Sequence, residues 1–340
     1  MTLNFPTSPS VNDTYTYNGT TFVWDGEKWD ASTPFLVNTA NIANDAVTPD
    51  KVAVDDYTFS AVNGGPLAGM RNQIINGDFR IWQRGNGPST TFSYTADRWA
   101  VSDTTITRSS LEGFETALVA TGNRTIATSV ELPLDSSGNA TPGPFRSGSE
   151  WTLSFYTTAT SPSASFEFNN DVLAGGAVST VLSKTALTQT GKSIGTLVQW
   201  SITFTVSAAP NSTNKGFIPS VYLEEDSQIT LVQLEPGPVA TMFEHRPIGT
   251  ELALCQRYYQ TIVGALLQAN RTSFTEQRNF QAPRTVTMRA APTETFVDVT
   301  TNGTMSGIQV YGNSGGWGAA GVPSASNTVT ALDINADAEL

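Results

Sequence analysis

The chain has 340 residues, a formal net charge of −12 and only 14% charged residues, against the roughly 25% of ordinary soluble proteins. Neutral Thr, Ser and Asn must therefore cover much of the surface, and the acidic balance excludes the basic face that nucleic acid requires. The one cysteine, Cys255, excludes an intrachain disulfide framework, and no apolar run approaches the ~18 residues of a membrane span.

Residues 1–34 open without a basic stretch or an apolar core, so they do not read as a signal peptide. Tyr15 and Tyr17 alternate, Asn18-Gly19 supplies a turn, Phe22 and Trp24 alternate, Asp25-Gly26 supplies a second turn, and Trp29 follows. Asn-Gly and Asp-Gly between alternating runs are strong hairpin signals, so a three-stranded β-meander is expected. About thirty residues rarely bury enough surface to fold alone. The module packs either on other chains or on the rest of its own.

In residues 35–69 the apolar side chains Val37, Ile42, Val47 and Val52 recur at a spacing of five. That is neither a strand nor a helix period. A lone chain has no interior for so sparse a stripe, whereas three parallel chains stack one such residue per layer. A trimeric shaft with these four as trimer contacts is the expectation. The alternative is a flexible linker, which Asn63-Gly64-Gly65-Pro66 is locally.

From residue 70 the pattern becomes that of an all-β protein. Asn72–Gly85 reads as an opening strand: Ile74 and Ile75 enter, Asn76-Gly77 turns, then Phe79 and Ile81 take one face and Arg80 and Trp82 the other. Its partner is the alternating run Gln228–Glu235. Between them Trp151, Leu153 and Phe155 alternate with polar residues, as do Phe166 with Phe168, Trp200, Ile202, Phe204 with Val206, and Val221 with Leu223. About eight strands in two packed antiparallel sheets, a β-sandwich, are expected. Thr250 then caps a short helix with Glu251 in its first turn, and Leu252, Cys255 and Tyr259 share its buried face. Cys255 reads as a small hydrophobe rather than a nucleophile. Residues 261–340 form a last β domain, with strands at Ile262–Leu267, Thr285–Met288, Thr295–Val299, Ile308–Tyr311 and Thr328–Ile334, and turns at Asn302-Gly303 and Asn313–Gly316.

Four of these strings occur in a fixed order: Arg71–Gly85, Tyr94–Trp99 (YTADRW), Leu231–Pro247 (LVQLEPGPVATMFEHRP) and Glu251–Gln260 (ELALCQRYYQ). Together they resemble the carbohydrate-binding-like module of bacteriophage and prophage tail fibres. Asn41–Val52 resembles the shaft repeats of such fibres, WDGEKW their N-terminal modules, and Thr285–Thr295 and Ala336–Leu340 their C-termini. The resemblance implies a virion protein made in the host cytoplasm. Residues 1–34 would attach to a tail or other virion structural protein, residues 35–69 would form the shaft of a homotrimer, residues 70–260 a jelly-roll sandwich, and residues 261–340 a receptor-binding tip. The implied partner is host-surface polysaccharide or lipopolysaccharide, with no nucleic acid and no membrane insertion. The alternative is a purely structural tail adaptor or decoration protein.

Catalytic residues do not stand out. His245 is the only histidine, no GxSxG string exists, and a zinc site needs several His or Cys. Glu224-Glu225-Asp226 is the one dense acidic cluster available for glycan hydrolysis. The expectation is a chain that is not an enzyme, with a polysaccharide depolymerase as the remaining alternative. For structural calcium, which the resemblance places where first and last strands meet, the oxygens are those of Asn76, Asp78 and Glu235; otherwise Asn76-Gly77-Asp78 is a self-bonded turn. For glycan stacking the aromatics are Trp82, Trp99 and, inside the glycine-rich Gly312–Gly321, Trp317. The alternative for each is packing, as expected for Trp151 and Trp200.

Overall fold

The computed structural model describes residues 4–31, 70–86, 89–90, 93–169, 178–211, 213–224, 226–269, 278–302, 305–323 and 328–339. The expected shaft contacts Val37, Ile42, Val47 and Val52 lie outside these residues. The chain divides into two units, Met1–Thr58 and Phe59–Leu340.

The first unit contains the expected antiparallel meander: β1 (Thr14–Tyr17), β2 (Thr20–Trp24) and β3 (Trp29–Ala31). Asn18 and Gly19 both have positive φ, 50° and 83°, and Tyr17 pairs with Thr20 across them. That is the two-residue hairpin an Asn-Gly pair favours. Phe5 stacks on Trp29 at 5.3 Å and meets Tyr15 and Phe22 edge-on. It completes the aromatic cluster from a position that alternation does not mark.

In the second unit one 12-stranded antiparallel sheet runs from β4 to β15. Its strands are β4 (Ser89–Thr90), β5 (Ser93–Tyr94), β6 (Trp99–Leu111), β7 (Phe114–Thr128), β8 (Val130–Glu131), β9 (Glu150–Thr157), β10 (Ser163–Asn169), β11 (Ser179–Ala186), β12 (Thr188–Ile194), β13 (Leu197–Thr205), β14 (Gly216–Tyr222) and β15 (Ser227–Pro236). The main path is β11-β10-β14-β7-β15-β9-β13-β12. The long strand β7 makes the corner: its Ala117–Val119 stretch pairs with β15 and its Thr125–Ala127 stretch with β14. The sheet thereby folds over itself. Phe166 of β10 stacks on Phe204 of β13 at 3.9 Å, although β14, β7, β15 and β9 separate those strands in hydrogen-bonded order. Among the described residues no pairing joins β11 to β12, so the two layers do not close into a barrel.

The core is the expected one. Trp151, Leu153 and Phe155 of β9 are buried, as are Phe166, Phe168, Trp200, Phe204 and Phe217. Burial of side chains this large is the main stabilising term, about 1.5–3 kcal/mol each.

Asn72–Gly85 is not a strand. Asn76 and Phe79 have φ of 57° and 53°, and the Phe79 N–H turns back to the Asn76 carbonyl at 3.1 Å. The left-handed residues break the extended run, so Phe79, Ile81 and Trp82 are all buried instead of dividing between two faces. The expected neighbour is nevertheless β15: Gln73 N–H donates to Leu234 O (2.9 Å) and Val232 N–H to Gly77 O (2.8 Å). Glycine is required at 77 because a Cβ there would sit 2.1 Å from the Val232 carbonyl oxygen. Gly77→Ala is expected to cost about 1–3 kcal/mol by forced backbone displacement, measurable as a lower urea midpoint with an unchanged slope.

After β15 comes α1 (Ile248–Gln256), entered at Pro247 without a side-chain cap, so Thr250 does not take the capping role. Two three-stranded antiparallel sheets follow, with orders β16-β21-β18 and β17-β20-β19. Their strands are β16 (Tyr259–Ala269), β17 (Arg278–Pro283), β18 (Thr293–Asn302), β19 (Met305–Gly312), β20 (Gly316–Pro323) and β21 (Thr328–Asp337). Thr285–Met288 forms no strand.

Candidate functional site

The strings that carry the fibre resemblance meet in one buried polar frame. Asn72 is 3% exposed; its Oδ1 accepts the Ile74 and Leu234 N–H groups (both 3.0 Å), and its Nδ2 donates to Val232 O (3.1 Å). Asn76 donates through Nδ2 to the Ile81 and Asp97 carbonyls (2.8 and 3.0 Å) and accepts the Ile81 N–H at 3.0 Å. Trp99 Nε1 donates to Asn76 O at 2.9 Å. Glu235, fully buried, accepts from Thr241 N–H (2.8 Å), Thr241 Oγ1 (2.6 Å), Gln233 Nε2 (2.9 Å) and Arg71 Nε (3.2 Å). Glu244 takes the Asn72 N–H at 2.8 Å, and Arg246 donates to Ile74 O and to both oxygens of Glu251. Glu251 in turn accepts the Asn76 N–H. Buried polar groups persist only when so satisfied.

The frame extends to the last strand. The fully buried Arg98 pairs with Glu339, donates to Ser129 O at 2.5 Å, and lies 3.6 Å over the Tyr258 ring. Burial is the largest single influence and works against its charge, but the Glu339 carboxylate, together with Tyr258, Tyr94 and Cys255, outweighs it and keeps Arg98 protonated. Arg84 reaches Asp337 (3.1 Å) and Glu339 (3.4 Å) and lies 3.8 Å over the Tyr259 ring.

Beside this corner opens a cleft of about 510 Å³ lined by Arg84, Tyr259, Thr293, Thr295, Asn335, Asp337 and Glu339. Strand register explains the lining. Tyr259, Asp337 and Thr293 form one cross-strand row over β16, β21 and β18, and Thr261, Asn335 and Thr295 form the next row of the same face. Ile334 and Ala336, on the opposite face, are fully buried. The Thr261 hydroxyl donates to Asn335 Oδ1 at 3.2 Å, and Thr293 and Thr295 are exposed. Hydroxyl, amide and carboxylate groups thus stand side by side along the cleft with a guanidinium at its edge. Such a surface both donates to and accepts from a ligand rich in hydroxyls.

The residues singled out in the sequence fall elsewhere. Trp82 (8% exposed), Trp99 (1%) and Trp317 (7%) are buried, so none offers an open ring for stacking. Trp99 is packed on Phe79 at 4.8 Å, and the Trp82 indole donates to Phe79 O at 2.6 Å. Asn76, Asp78 and Glu235 do not assemble as a calcium site: Asn76 and Glu235 are occupied by the protein donors above, and Asp78 pairs with Arg80 at 2.5 Å. No group of three or more His, Cys, Asp or Glu fit for a metal occurs among the described residues. Cys255 is fully buried, and burial, then the nearby Asp97 and Glu251 carboxylates, push its thiol well above the usual range. Of the acidic cluster, Glu224 accepts from Thr160 N–H and Oγ1 (2.8 and 2.9 Å) at the surface. Sequence reading did not assemble the cleft. Arg84, Tyr259 and the Asp337–Glu339 pair all lie inside quoted strings, but nothing in the chain order says that they meet.

No protein-family model and no curated protein sequence matches the chain. Among solved structures it is similar to the enzymatically active domain of bacteriophage CBA120 tailspike protein 4, with a TM-score of 0.26 and 11% identity over 51% of this chain. The match spans 22% of that protein, about a fifth of its length. The expectation of a chain that is not an enzyme is therefore withdrawn, because the similar domain is itself an active enzyme; at this level of similarity no activity is assigned in its place. No helix among the described residues is long and apolar enough to cross a membrane.

Proposed function

We propose that this chain is a bacteriophage tail-appendage protein that adheres to host-surface polysaccharide through the polar face of β16, β21 and β18. The observation that carries this reading is the pair of cross-strand rows, Tyr259–Asp337–Thr293 and Thr261–Asn335–Thr295, lining a cleft of about 510 Å³. The resemblance of four ordered strings to tail-fibre modules supports it, as does a low-charge surface suited to a neutral polyol. In this reading residues 1–34 attach to a virion structural protein, residues 35–69 hold three chains in parallel, and residues 70–260 form the jelly-roll module. Weak sites on three chains then act together through avidity.

The test is binding of the full chain to immobilised neutral polysaccharides purified from bacterial surfaces. Each lost hydrogen bond is worth about 1 kcal/mol, so Thr295→Ala combined with Asn335→Ala should weaken binding by about tenfold or more per site, while stability falls by no more than about 1 kcal/mol for the lost Thr261–Asn335 bond. Binding unaffected by the double substitution rejects this face, and an intact trimer that binds none of the polysaccharides supports a structural adaptor instead. Light scattering should report three chains per particle.

A further inference from the structure

A second cleft, of about 550 Å³, opens beside β8, the loop that follows it and the segment entering β14. Its charged lining is Glu131, Lys215 and Arg289. Glu131 is already engaged. Its Oε2 accepts the Tyr258 hydroxyl at 2.9 Å and lies 3.4 Å from Arg257 Nη2, while its Oε1 lies 3.6 Å from Arg289 Nε. One carboxylate is thus shared by two cations, Arg257 and Arg289, and Lys215 adds a third cation to the cleft, in a chain whose overall charge is −12. The local field runs against the global one.

The cations are held in place. The Arg289 N–H donates to Arg257 O at 2.8 Å, its side chain is only 14% exposed, and its Nε makes no hydrogen bond. The Lys215 backbone is fixed on both sides, donating to Asn169 O and accepting from Leu132 N–H, each at 3.0 Å, while its side chain stands exposed. Leu134, 59% exposed, provides an apolar wall at the rim. Thr213 adds a hydroxyl.

We propose that this cleft binds a sugar acid, with its carboxylate between Arg289 and Lys215 and an apolar ring face against Leu134. A guanidinium fork and an ammonium form charge-assisted bonds to a carboxylate that a neutral sugar does not offer. Cations this few do not make a nucleic-acid surface. The inference deepens the adhesion reading, since a uronate-bearing polysaccharide would touch each chain at two places. The free monosaccharide tests it separately.

The experiment is calorimetric titration of the full chain, at fixed low ionic strength, with sodium glucuronate, glucose and inorganic phosphate. Glucuronate should saturate, with glucose at least tenfold weaker. Lys215→Gln, at an exposed position, should weaken glucuronate binding about fivefold, and Arg289→Lys should weaken it further. The Thr295→Ala, Asn335→Ala double variant should keep glucuronate binding intact, so failure at one cleft is distinguished from failure at the other. Absence of glucuronate binding, equal binding of glucose, or indifference to Lys215→Gln overturns the proposal. Phosphate binding tighter than glucuronate assigns the cleft to phosphate groups and overturns it as well. Should Arg289→Lys fail to fold, Lys215→Gln decides.

Discussion

Glu339→Ala is expected to destabilise the second unit by about 3–5 kcal/mol, the cost of leaving a buried ion without its partner. Arg98 is fully buried, and its other contacts are the Ser129 carbonyl and the Tyr258 ring face, neither of which carries a full negative charge. It cannot escape by losing its proton, because an arginine stays charged under all ordinary conditions. Arg84 loses a partner at the same time, although Asp337 still holds it at 3.1 Å. Glu339→Gln, which keeps volume and a hydrogen-bond acceptor, should cost less. Urea unfolding followed by tryptophan fluorescence measures both. A Glu339→Ala midpoint within about 1 kcal/mol of the parent, the scale of an exposed pair, would show that the pair is not buried as described.

The second large effect is expected at Glu251. As an acidic residue in the first turn of an exposed helix it would contribute about 0.3–1 kcal/mol through the helix dipole. The structure puts it elsewhere: it is 3% exposed, accepts two bonds from Arg246 Nη1 at 3.3 and 3.2 Å, and receives the Asn76 N–H. Glu251→Ala should therefore cost about 3–5 kcal/mol, several times the dipole contribution. Adding Arg246→Met should restore part of the loss, since the charge left unpaired is then removed as well. A loss below about 1 kcal/mol, or losses that simply add, would return Glu251 to the ordinary helix-terminal role.

The sandwich core was legible because its strands alternate. Trp151, Leu153 and Phe155, or Trp200 and Phe204, declare their inward phase in the sequence. The hairpin β6–β7 was not legible: its runs are rich in Thr, Ser and charged residues, and its turn is the unadvertised Glu112-Gly113, with φ of 52° and 83°. Asn72–Gly85 misled because side-chain alternation reports extended structure only where backbone dihedrals permit it, and Asn76 and Phe79 are left-handed. The same alternation suggested an open face for Trp82, which the turn folds inward, and the neighbouring Asp97-Arg98 suggested one for Trp99, which β6 instead packs on Phe79.

The site was less legible for a different reason. Polar residues in Asn72–Gly85, Leu231–Pro247 and Glu251–Gln260 carry no periodicity that says whether they bind a ligand or one another. Asn72, Asn76, Glu244, Arg246 and Glu251 bind one another, and Glu235 binds Arg71, Gln233 and Thr241. Their convergence depends on pairings separated by more than 150 residues, such as Asn72 with Glu244 and Asn76 with Glu251, and local pattern is blind to these. The cleft residues Thr293, Thr295, Asn335 and Asp337 become a set only through the register of β18 on β21.

A single buried frame joins the sandwich to the last strand and so holds the polar face in place. Native-state hydrogen exchange at two amides tests this most directly: Asn76, which donates to Glu251, and Ala338, which donates to Tyr258 O at 2.7 Å. One cooperative unit predicts the same opening free energy at both, equal to that of global unfolding, and a parallel fall at both in Glu339→Ala. Exchange at Ala338 orders of magnitude faster than at Asn76, or a Glu339→Ala effect confined to Ala338, would contradict it.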